Sequence, residues 1–450
     1  MKKIILFGCL IVLILTLKYS VIAEPDSVRN SWSFQVEWKR TFGKTGNETV
    51  MDFLQTTDGG YALLGFSESN ESFSDDYLLV KTNSSGHTIW NRTYSNYNDY
   101  PQSLIQTLDG GYAFVGTSIG FDNVTEEVNL IEITVIKTDS YGIQDWNYTL
   151  EGDAWGSTII QTADNGYIFS ANINNSMNLP VTALLKINSS GYYEWNQTLW
   201  DADIGYFESM IQTLDGGYAI TATVGEEPNA DILLMKVNGT GHQEWNKSYS
   251  RKALDREASI IQLANGSFVI AGTSGSEWHY TDIWLIKTDV NGEVIWNTTY
   301  GESLAREEND IIIQTIDGGF VVLGGKESLL YPASDVWVIK IDVNGQLEWE
   351  TLIGKAQESD WAINIFQTAA GDFVIAGNTE GKMWLLKLKA IEDTTTETTP
   401  ISTTTTIETT ESTTTTTTPT TSVSTTGFLN PIIMFVVCVM IIRRRKRTSK

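Results

Sequence analysis

The chain has 450 residues and a formal net charge of −25 at pH 7. This acidity disfavours binding to nucleic acids and to anionic lipid surfaces, and it is compatible with divalent cations, basic partners, a high-salt habitat or simple solubility. The two cysteines, Cys9 and Cys438, lie near the chain ends, so we expect no disulfide in the long region between them.

Residues 1–23 have the pattern of a secretory signal peptide. Lys2 and Lys3 precede an apolar run at residues 4–17, and residues 21–23 include small side chains at a plausible cleavage point. An uncleaved membrane anchor is the alternative. The signal-peptide interpretation predicts that the following residues are outside the cell.

A phrase of seven residues, first seen as QTTDGGY at residues 55–61, occurs seven times at intervals of 50 to 55 residues. Each copy begins with a glutamine, namely Gln55, Gln106, Gln161, Gln212, Gln262, Gln314 and Gln367. A period near 50 residues with strand-like content is typical of β-propeller blades. The sequence therefore predicts an all-β repeat domain over residues 32–391.

Each repeat contains four candidate strands, which we name a to d. In the first repeat they are MDFLQT, YALLGFS, YLLVKT and TIWNRTY. The a–b link is Asp-Gly-Gly or a relative and the c–d link is NSSG, DSYG, NGTG or DVNG, all suited to tight hairpins because Gly and Asn tolerate positive φ. Strand c ends in a lysine and strand d carries a tryptophan. The lysines are Lys81, Lys137, Lys186, Lys236, Lys287, Lys340 and Lys387; the tryptophans are Trp38, Trp90, Trp146, Trp195, Trp245, Trp296 and Trp349.

The phase of the repeats predicts how the domain closes. The segment SFQVEWKRTF around Trp38 is a strand d with no a, b or c before it, and the last repeat ends at its strand c, KMWLLKLKA. We therefore predict a seven-bladed β-propeller of four-stranded antiparallel blades, in which the N-terminal strand completes the last blade.

The short a–b and c–d turns lie at one end of every blade, and the b–c and d–a connections lie at the other. The latter vary in length and sequence, so we assign ligand recognition to that loop face. Two acidic series lie near it. The first is Glu48, Asp99, Asp255, Glu307 and Asp360, and the second is Asp76, Glu132, Asp231, Asp282 and Asp335. The first series could form a ring that binds Ca²⁺ or a basic ligand. Alternatively, each carboxylate accepts backbone N–H groups of its own or an adjacent loop.

The repeat lysines are expected to pair with acids at the short-turn end rather than to act in catalysis. The expected partners are Asp58, Asp109, Asp164, Asp215 and Asp317. The three histidines, His87, His242 and His279, fall in turns or loops of different repeats, and no catalytic motif is present. We therefore predict no catalytic residue and no cofactor.

Thirteen Asn-X-Ser/Thr sequons are consistent with an extracellular location. Asn70, Asn123 and Asn174 lie in predicted loops and are the candidate glycosylation sites. Five others, Asn91, Asn147, Asn196, Asn246 and Asn297, follow the strand d tryptophan directly, where the repeat itself explains the asparagine.

The C-terminal residues predict a membrane-anchored stalk. Residues 392–426 are mostly threonine and read as a disordered, O-glycosylated stalk; residues 427–442 are apolar and read as a transmembrane helix; residues 443–450 form a basic tail, which the positive-inside rule places in the cytoplasm. This arrangement also resembles the C-terminal sorting tails of archaeal and bacterial surface proteins, which are processed.

The repeat units DGGYALLGFS…YLLVKTNSSGHTIWNRTY and FVIAGTSG…DIWLIKTDVNGEVIWNTTY resemble the tryptophan-bearing propeller repeats of the SBBP type, found in microbial surface and secreted proteins. The resemblance covers residues 32–391 and implies a β-propeller, with no shared catalytic residue. A looser similarity is to PQQ-type propeller repeats, whose blades end in a Gly-X-X-Trp turn comparable to residues 291–296.

Together these features predict a single-pass cell-surface protein whose extracellular, monomeric propeller serves recognition or adhesion, with a glycan or protein as ligand. Two alternatives stay open. One is an extracellular enzyme acting on polysaccharide, and the other is a structural component of the cell envelope.

Overall fold

The structure is a computed structural model that describes residues 32–392 apart from short gaps. The gaps are 44–47, 69–74, 95–97, 122–127, 153, 175–179, 202–204, 226–228, 278–279, 302–304, 329–330, 355–359 and 380. Every gap falls in a b–c or d–a connection. The predicted signal peptide, transmembrane helix and basic tail lie outside the described residues, as does the stalk beyond residue 392.

All secondary-structure elements of the described residues are β-strands, which confirms the all-β prediction. They pair as groups of four antiparallel neighbours, numbered here as sheets 1 to 7 in order of their strands a. Sheet 1 comprises β2 (Glu48–Gln55), β3 (Tyr61–Glu68), β4 (Asp75–Thr82) and β5 (Thr88–Tyr94); sheet 2 comprises β6 (Asn98–Gln106), β7 (Tyr112–Phe121), β8 (Val128–Thr138) and β9 (Gln144–Glu151). Sheet 3 comprises β10 (Trp155–Gln161), β11 (Tyr167–Asn174), β12 (Pro180–Ile187) and β13 (Tyr193–Asp201); sheet 4 comprises β14 (Gly205–Gln212), β15 (Tyr218–Val224), β16 (Asp231–Val237) and β17 (Gln243–Tyr249).

Sheets 5 and 6 follow the same plan. Sheet 5 comprises β18 (Leu254–Gln262), β19 (Phe268–Glu277), β20 (Tyr280–Thr288) and β21 (Val294–Tyr300); sheet 6 comprises β22 (Ala305–Gln314), β23 (Phe320–Ser328), β24 (Tyr331–Ile341) and β25 (Leu347–Ile353). A single parallel pair, Thr281 with Arg306, joins these two groups into one eight-stranded sheet.

Sheet 7 combines strands from both ends of the described chain. It comprises β26 (Trp361–Gln367), β27 (Phe373–Thr379), β28 (Lys382–Glu392) and β1 (Trp32–Phe42), in the order β1-β28-β27-β26. The β1–β28 pairing is antiparallel and runs from Trp32 opposite Glu392 to Phe42 opposite Met383. β1 thus occupies the position that strand d has in the other six sheets.

Burial follows strand position, because the middle strands are covered on both faces. In sheet 1, strand b has five consecutive buried residues, whereas strand d is exposed except for Trp90 and Tyr94, which are half-buried. The apolar clusters lie between successive sheets: Val115 and Ile133 of sheet 2 pack with Phe169 and Leu185 of sheet 3. An equivalent cluster joins sheet 7 to sheet 1. Each sheet therefore buries its faces against its neighbours.

In the described part of the chain, no helix is present that is long and apolar enough to cross a membrane.

Candidate functional site

The repeated Asp-Gly-Gly turn is a hydrogen-bonded unit centred on its aspartate. In sheet 1, Oδ1 of Asp58 accepts hydrogen bonds from Thr56 Oγ1 and from the backbone N of Gly60, while Gly59 adopts φ +79. Lys81 Nζ lies 2.9 Å from Asp58 Oδ2. Partial burial alone would raise the pKa of Asp58, but the hydrogen bonds from Lys81, Thr56 and Gly60 outweigh it and lower the pKa to about 2.

The lysine–aspartate pairing predicted from the sequence is confirmed in five sheets. The pairs are Lys81–Asp58, Lys137–Asp109, Lys186–Asp164, Lys236–Asp215 and Lys340–Asp317, all at 2.9 to 3.0 Å. In sheet 5 the aspartate is replaced by Asn265, and Lys287 instead donates to the carbonyl of Val343. In sheet 7 the acid is displaced to Asp372, which Lys387 contacts together with Glu37 of β1. These lysines are structural cations.

The repeat glutamine connects neighbouring sheets, a role that the sequence did not reveal. The carbonyl oxygen of its side chain accepts the backbone N–H of the short turn in the preceding sheet. The bonds are Thr57 to Gln106, Leu108 to Gln161, Leu214 to Gln262 and Ile316 to Gln367, each 2.8 Å long. The first residue of the repeated phrase is therefore a link between sheets.

The repeat tryptophan also serves contacts between sheets. Trp90 meets Tyr112 of the next sheet edge-on at a centroid distance of 5.8 Å, and Trp38 of β1 lies 6.2 Å from Tyr61 of sheet 1. The glycine of the next c–d turn lies against the same indole: a Cβ added to Gly142 would come within 2.7 Å of Trp90. A tryptophan and a glycine are paired in this way at six junctions, and the exception is Trp349, because sheet 7 has no c–d turn.

We expect Gly142→Ala to destabilise the domain by roughly 2–4 kcal/mol, because the methyl group meets Trp90 and the backbone has φ +74. Gly110→Ala is the matched control, since Gly110 has φ +85 but nothing within 4 Å of its added Cβ. Urea unfolding of the two variants separates the clash from the backbone strain, whose cost is about 1 kcal/mol. Equal losses in both variants would contradict the tryptophan–glycine contact.

The first acidic series is buried at the start of the strands a. Relative exposure is 6% for Glu48, 0% for Asp99, Asp255 and Glu307, and 6% for Asp360. Asp99 accepts a 2.6 Å hydrogen bond from Ser118 Oγ. Asp255 accepts backbone N–H groups of Arg251 and Lys252 in its own d–a connection at 2.6 and 2.9 Å. The Asp255 bonds are of the kind expected if the carboxylates accept backbone N–H groups of their own loops, whereas Asp99 is bonded to a side chain of the adjacent strand β7. Among the described residues, no three His, Cys, Asp or Glu side chains form a group able to hold a metal ion.

The second acidic series lies two strands further out than the first, on the strands c. Glu132 and Asp99 both stand opposite Ser118 in the middle strand, and Asp282 and Asp255 both stand opposite Ser274. Lys252 lies 3.1 Å from Asp282. Burial and the nearby charge of Glu151 raise the pKa of Glu132, and burial and Asp360 raise that of Asp335. Asp76 and Asp231, the remaining members, are half-buried at the start of their strands c.

Two further carboxyl groups on the strands a, those of Asp52 and Glu208, were not predicted from the sequence. Asp52 accepts the backbone N–H of Leu104 in sheet 2 at 2.8 Å and a 3.3 Å hydrogen bond from Asn364 Nδ2 in sheet 7. Burial raises its pKa to about 6 against the opposing effect of these bonds. Its only signal in the sequence is an acid within the apolar run MDFLQ.

The second group is Glu208, which lies at a register shift in β14. It accepts a 2.8 Å hydrogen bond from Thr223 Oγ1, and Glu257 of β18 accepts one from Thr273 at 3.0 Å. Burial, followed by the charge of Glu257, raises the pKa of Glu208 to about 8. Such a group is protonated at neutral pH and could donate a proton.

Two adjoining depressions are found at the short-turn end. The first, of about 340 Å³, lies between sheets 2 and 3 and includes Asp109, Trp146 and Asn165. The second, of about 430 Å³, shares Leu108 and Gln161 with the first and extends to Gln212 of sheet 4. The sequence reasoning assigned no site to this end.

The other singled-out residues are widely separated. His87 and His242 lie in c–d turns, and His279 is outside the described residues. Asn70 and Asn123 are also outside them, and Asn174 is the last residue of β11. The asparagines that follow the strand d tryptophans are all exposed at Asn91, Asn147, Asn196, Asn246 and Asn297.

No family model matches the chain, and no curated protein is significantly similar to it. The SBBP-type assignment therefore stays a prediction. Solved structures of similar shape include the β-propeller domain of the Trilobed protease from Pyrococcus furiosus, with 11% identity, 78% of this chain and 96% of that chain covered, and a TM-score of 0.46. A PL25 ulvan lyase, described as a polysaccharide lyase, has 11% identity, covers 77% and 95% of the two chains and has a TM-score of 0.48. A protein of unknown function from Dyadobacter fermentans has 9% identity, 79% and 99% coverage and a TM-score of 0.45.

Proposed function

We propose that the seven groups of strands are the blades of a closed β-propeller, with sheet 7 placed next to sheet 1. Contacts across that junction support this arrangement. Asn378 and Val50 exchange two hydrogen bonds of 2.8 and 2.9 Å, and Asn364 donates to Asp52. The indole of Trp38 lies against Tyr61, as four other strand d tryptophans lie against the tyrosine or phenylalanine of the next sheet. The first and last sheets thus meet as consecutive sheets do.

We propose that this propeller is displayed on the cell surface and acts as a recognition or adhesion module through its loop face. The signal-peptide pattern, the threonine-rich residues 392–426 and the apolar residues 427–442 support the location. A stalk of this composition would hold the propeller away from the membrane. The ligand class that suits a surface module is a glycan or another protein.

The binding proposal rests on one observation: the repeated contacts lie at one end of the sheets, and the connections that differ between repeats lie at the other. Repeated bonds of Lys81 to Asp58, of Gln106 to Thr57 and their equivalents are concentrated at the short-turn end. The b–c and d–a connections share no such repeated phrase and differ in length. A rigid scaffold that leaves one set of loops to vary is the usual arrangement of binding proteins.

The test is a binding screen of residues 24–426 against glycans, polysaccharides and matrix proteins, with and without Ca²⁺. We expect one ligand class to bind, and replacement of residues 122–127 or 175–179 by Gly-Ser segments of equal length to weaken it. Release of reducing ends from a bound polysaccharide, abolished by Glu208→Gln, would instead support the enzyme alternative, which the raised pKa of Glu208 favours. Absence of both binding and turnover would leave the structural role.

A further inference from the structure

The adjoining depressions at the short-turn end, named here the sheet 2–3 cleft, have the size of a small-ligand site. Their volumes of about 340 and 430 Å³ fall within the range of about 300–1,000 Å³ that is usual for ligand pockets. Leu108, which is 78% exposed, and Gln161 line both parts. The two depressions thus adjoin at these residues, and each has room for a small ring.

The repeat pattern is broken inside this cleft at Asn165. The equivalent position is glycine in the other six sheets, at Gly59, Gly110, Gly216, Gly266, Gly318 and Gly371, all with positive φ. Asn165 keeps the left-handed backbone, with φ 64, although it carries a side chain. A side chain in a backbone conformation that favours glycine indicates a functional constraint at that position. Here it adds an amide to the lining of the cleft.

Gln161 is one of the repeat glutamines whose amide nitrogen is not used within its own turn. Nε2 of Gln106, Gln262 and Gln367 donates to the glycine carbonyl of its own turn, at 3.1 to 3.4 Å. Within the described part of the chain, the side chain of Gln161, like those of Gln212 and Gln314, makes no such bond, and its one hydrogen bond is the one that Oε1 accepts from Leu108. Its Nε2 therefore remains a donor for a ligand in the cleft.

Small side chains keep the cleft open on the sheet 3 side. Ser190 lines it, at the c–d turn position that Tyr141 occupies in sheet 2. On the sheet 2 side, the residue before the tryptophan is Asp145, where four other strands d carry a longer glutamate and the remaining two an isoleucine. Trp146 is half-buried and supplies an aromatic surface.

The charges in the cleft select against anionic ligands. Lys137 Nζ lies 2.9 Å from Asp109 and 3.2 Å from Asp145, and it donates to the carbonyl of Thr138 at 2.7 Å. All three of its protons are thus engaged. The two carboxylates are 63% and 47% exposed, so they offer acceptors to hydroxyl groups from solvent or ligand.

We propose that the sheet 2–3 cleft binds the end of a neutral oligosaccharide. Trp146 and Leu108 contact the apolar face of a sugar ring, the carboxylates of Asp109 and Asp145 accept its hydroxyl protons, and Gln161 and Asn165 hydrogen-bond through their amides. Apolar surface combined with a few convergent planar polar groups is the chemistry that a polyhydroxylated ring requires. This site is at the opposite end of the sheets from the loop face, so it is independent of the function proposed there.

The test is ligand-observed NMR and calorimetry of residues 24–426 with the methyl glycosides of glucose, galactose, mannose and N-acetylglucosamine and with their β-linked disaccharides. Methyl glucuronide serves as the anionic probe. We expect at least one neutral glycoside to bind with a Kd on the order of 1 mM, and its disaccharide to bind more tightly. Raising NaCl from 50 to 500 mM should leave this affinity unchanged, because no net charge is neutralised.

Three variants locate the binding. Ser190→Tyr, which copies the residue of sheet 2, should weaken it by roughly tenfold or more, and Asn165→Gly by roughly threefold without loss of thermal stability. Ser85→Tyr, the same change at the equivalent turn of sheet 1, should have no effect. Binding that survives Ser190→Tyr, equal binding of the glucuronide, loss of binding in high salt or no binding of any neutral glycoside would each overturn the proposal. Replacement of loops 122–127 or 175–179 should not alter this affinity, which distinguishes it from recognition at the loop face.

Discussion

Deletion of residues 24–43 is expected to abolish cooperative folding of the remaining domain or to lower its free energy of unfolding by more than about 5 kcal/mol, comparable with the whole stability of many domains. β1 supplies all the cross-strand partners of β28 on one edge, from Trp32 opposite Glu392 to Phe42 opposite Met383. Without it, the buried Trp384 and Leu385 lose their cover and β28 becomes an open edge. Urea unfolding followed by tryptophan fluorescence measures the effect.

A point variant tests the same contact if the deletion does not yield soluble protein. Trp38→Ala should cost roughly 2–3 kcal/mol, because the indole lies against Tyr61 and the c–d turn at Gly86. Trp195→Ala is the matched control, since Trp195 is equally half-buried and contacts Gly241 in the same way. Similar losses in both variants are expected. A negligible effect of Trp38→Ala beside a large effect of Trp195→Ala would mean that β1 is not an integral strand of sheet 7.

Local sequence signals were sufficient to predict the strands of the domain. The apolar runs, the Asp-Gly-Gly turns and the c–d turns each act within a few residues, and the lysine–aspartate pairs join strands of one repeat. All of these features join residues at most about half a repeat apart. The exception is the Trp38 segment, a strand d with no strands a to c before it, which the structure places beside β28 at the other end of the domain.

Contacts between repeats could not be inferred in the same way. The bond from Leu108 to Gln161 and the contact of Trp90 with Gly142 join residues about one repeat apart, and nothing in either local segment specifies the partner. Little in the sequence distinguishes Asp52 and Glu208 from other acids, and both lie at register shifts of the strands a, where they are half-buried. The sheet 2–3 cleft depends on one departure from the repeat, Asn165, whose significance becomes clear only once it is seen beside Gln161 and Ser190.

The loop face, to which the sequence assigned recognition, belongs mostly to residues outside the described ranges. What the structure does describe there are the bases of the loops. There, Asp99 is bonded to Ser118 of the adjacent strand, and Asp255 holds the backbone of its own connection at the start of β18. Fixed loop bases with differing loop sequences are consistent with the binding role proposed above.

Stability of the domain should be greatest near pH 4 to 5 and should fall in both directions. Burial raises the pKa of Asp52 and Asp75 to about 6 and that of Glu208 to about 8, so the folded state holds these protons more tightly than the unfolded state. Stability therefore decreases as pH rises from the unfolded values near 4 through these folded values. In the opposite direction, Asp58, Asp109, Asp164 and Asp215 have pKa values lowered to about 2, so the stability that their ion pairs contribute above pH 4 is lost as pH falls toward 2.

Single variants separate the loss of stability at high pH from the loss at low pH. Glu208→Gln removes a carboxyl group that must lose its proton in a buried position beside Glu257, and we expect the melting temperature to rise at pH 8 and to change little at pH 4.5. Asp215→Asn should do the reverse, lowering stability at pH 6 and having little effect at pH 2, because the contact with Lys236 is already weakened there. Glu293→Gln changes an exposed acid that pairs only with Lys247 at the surface, and it should leave the profile unaltered. Calorimetric scans from pH 2 to 9 would contradict this account if wild-type stability rose steadily between pH 5 and 8, since no group with a raised pKa could then be titrating in the folded state.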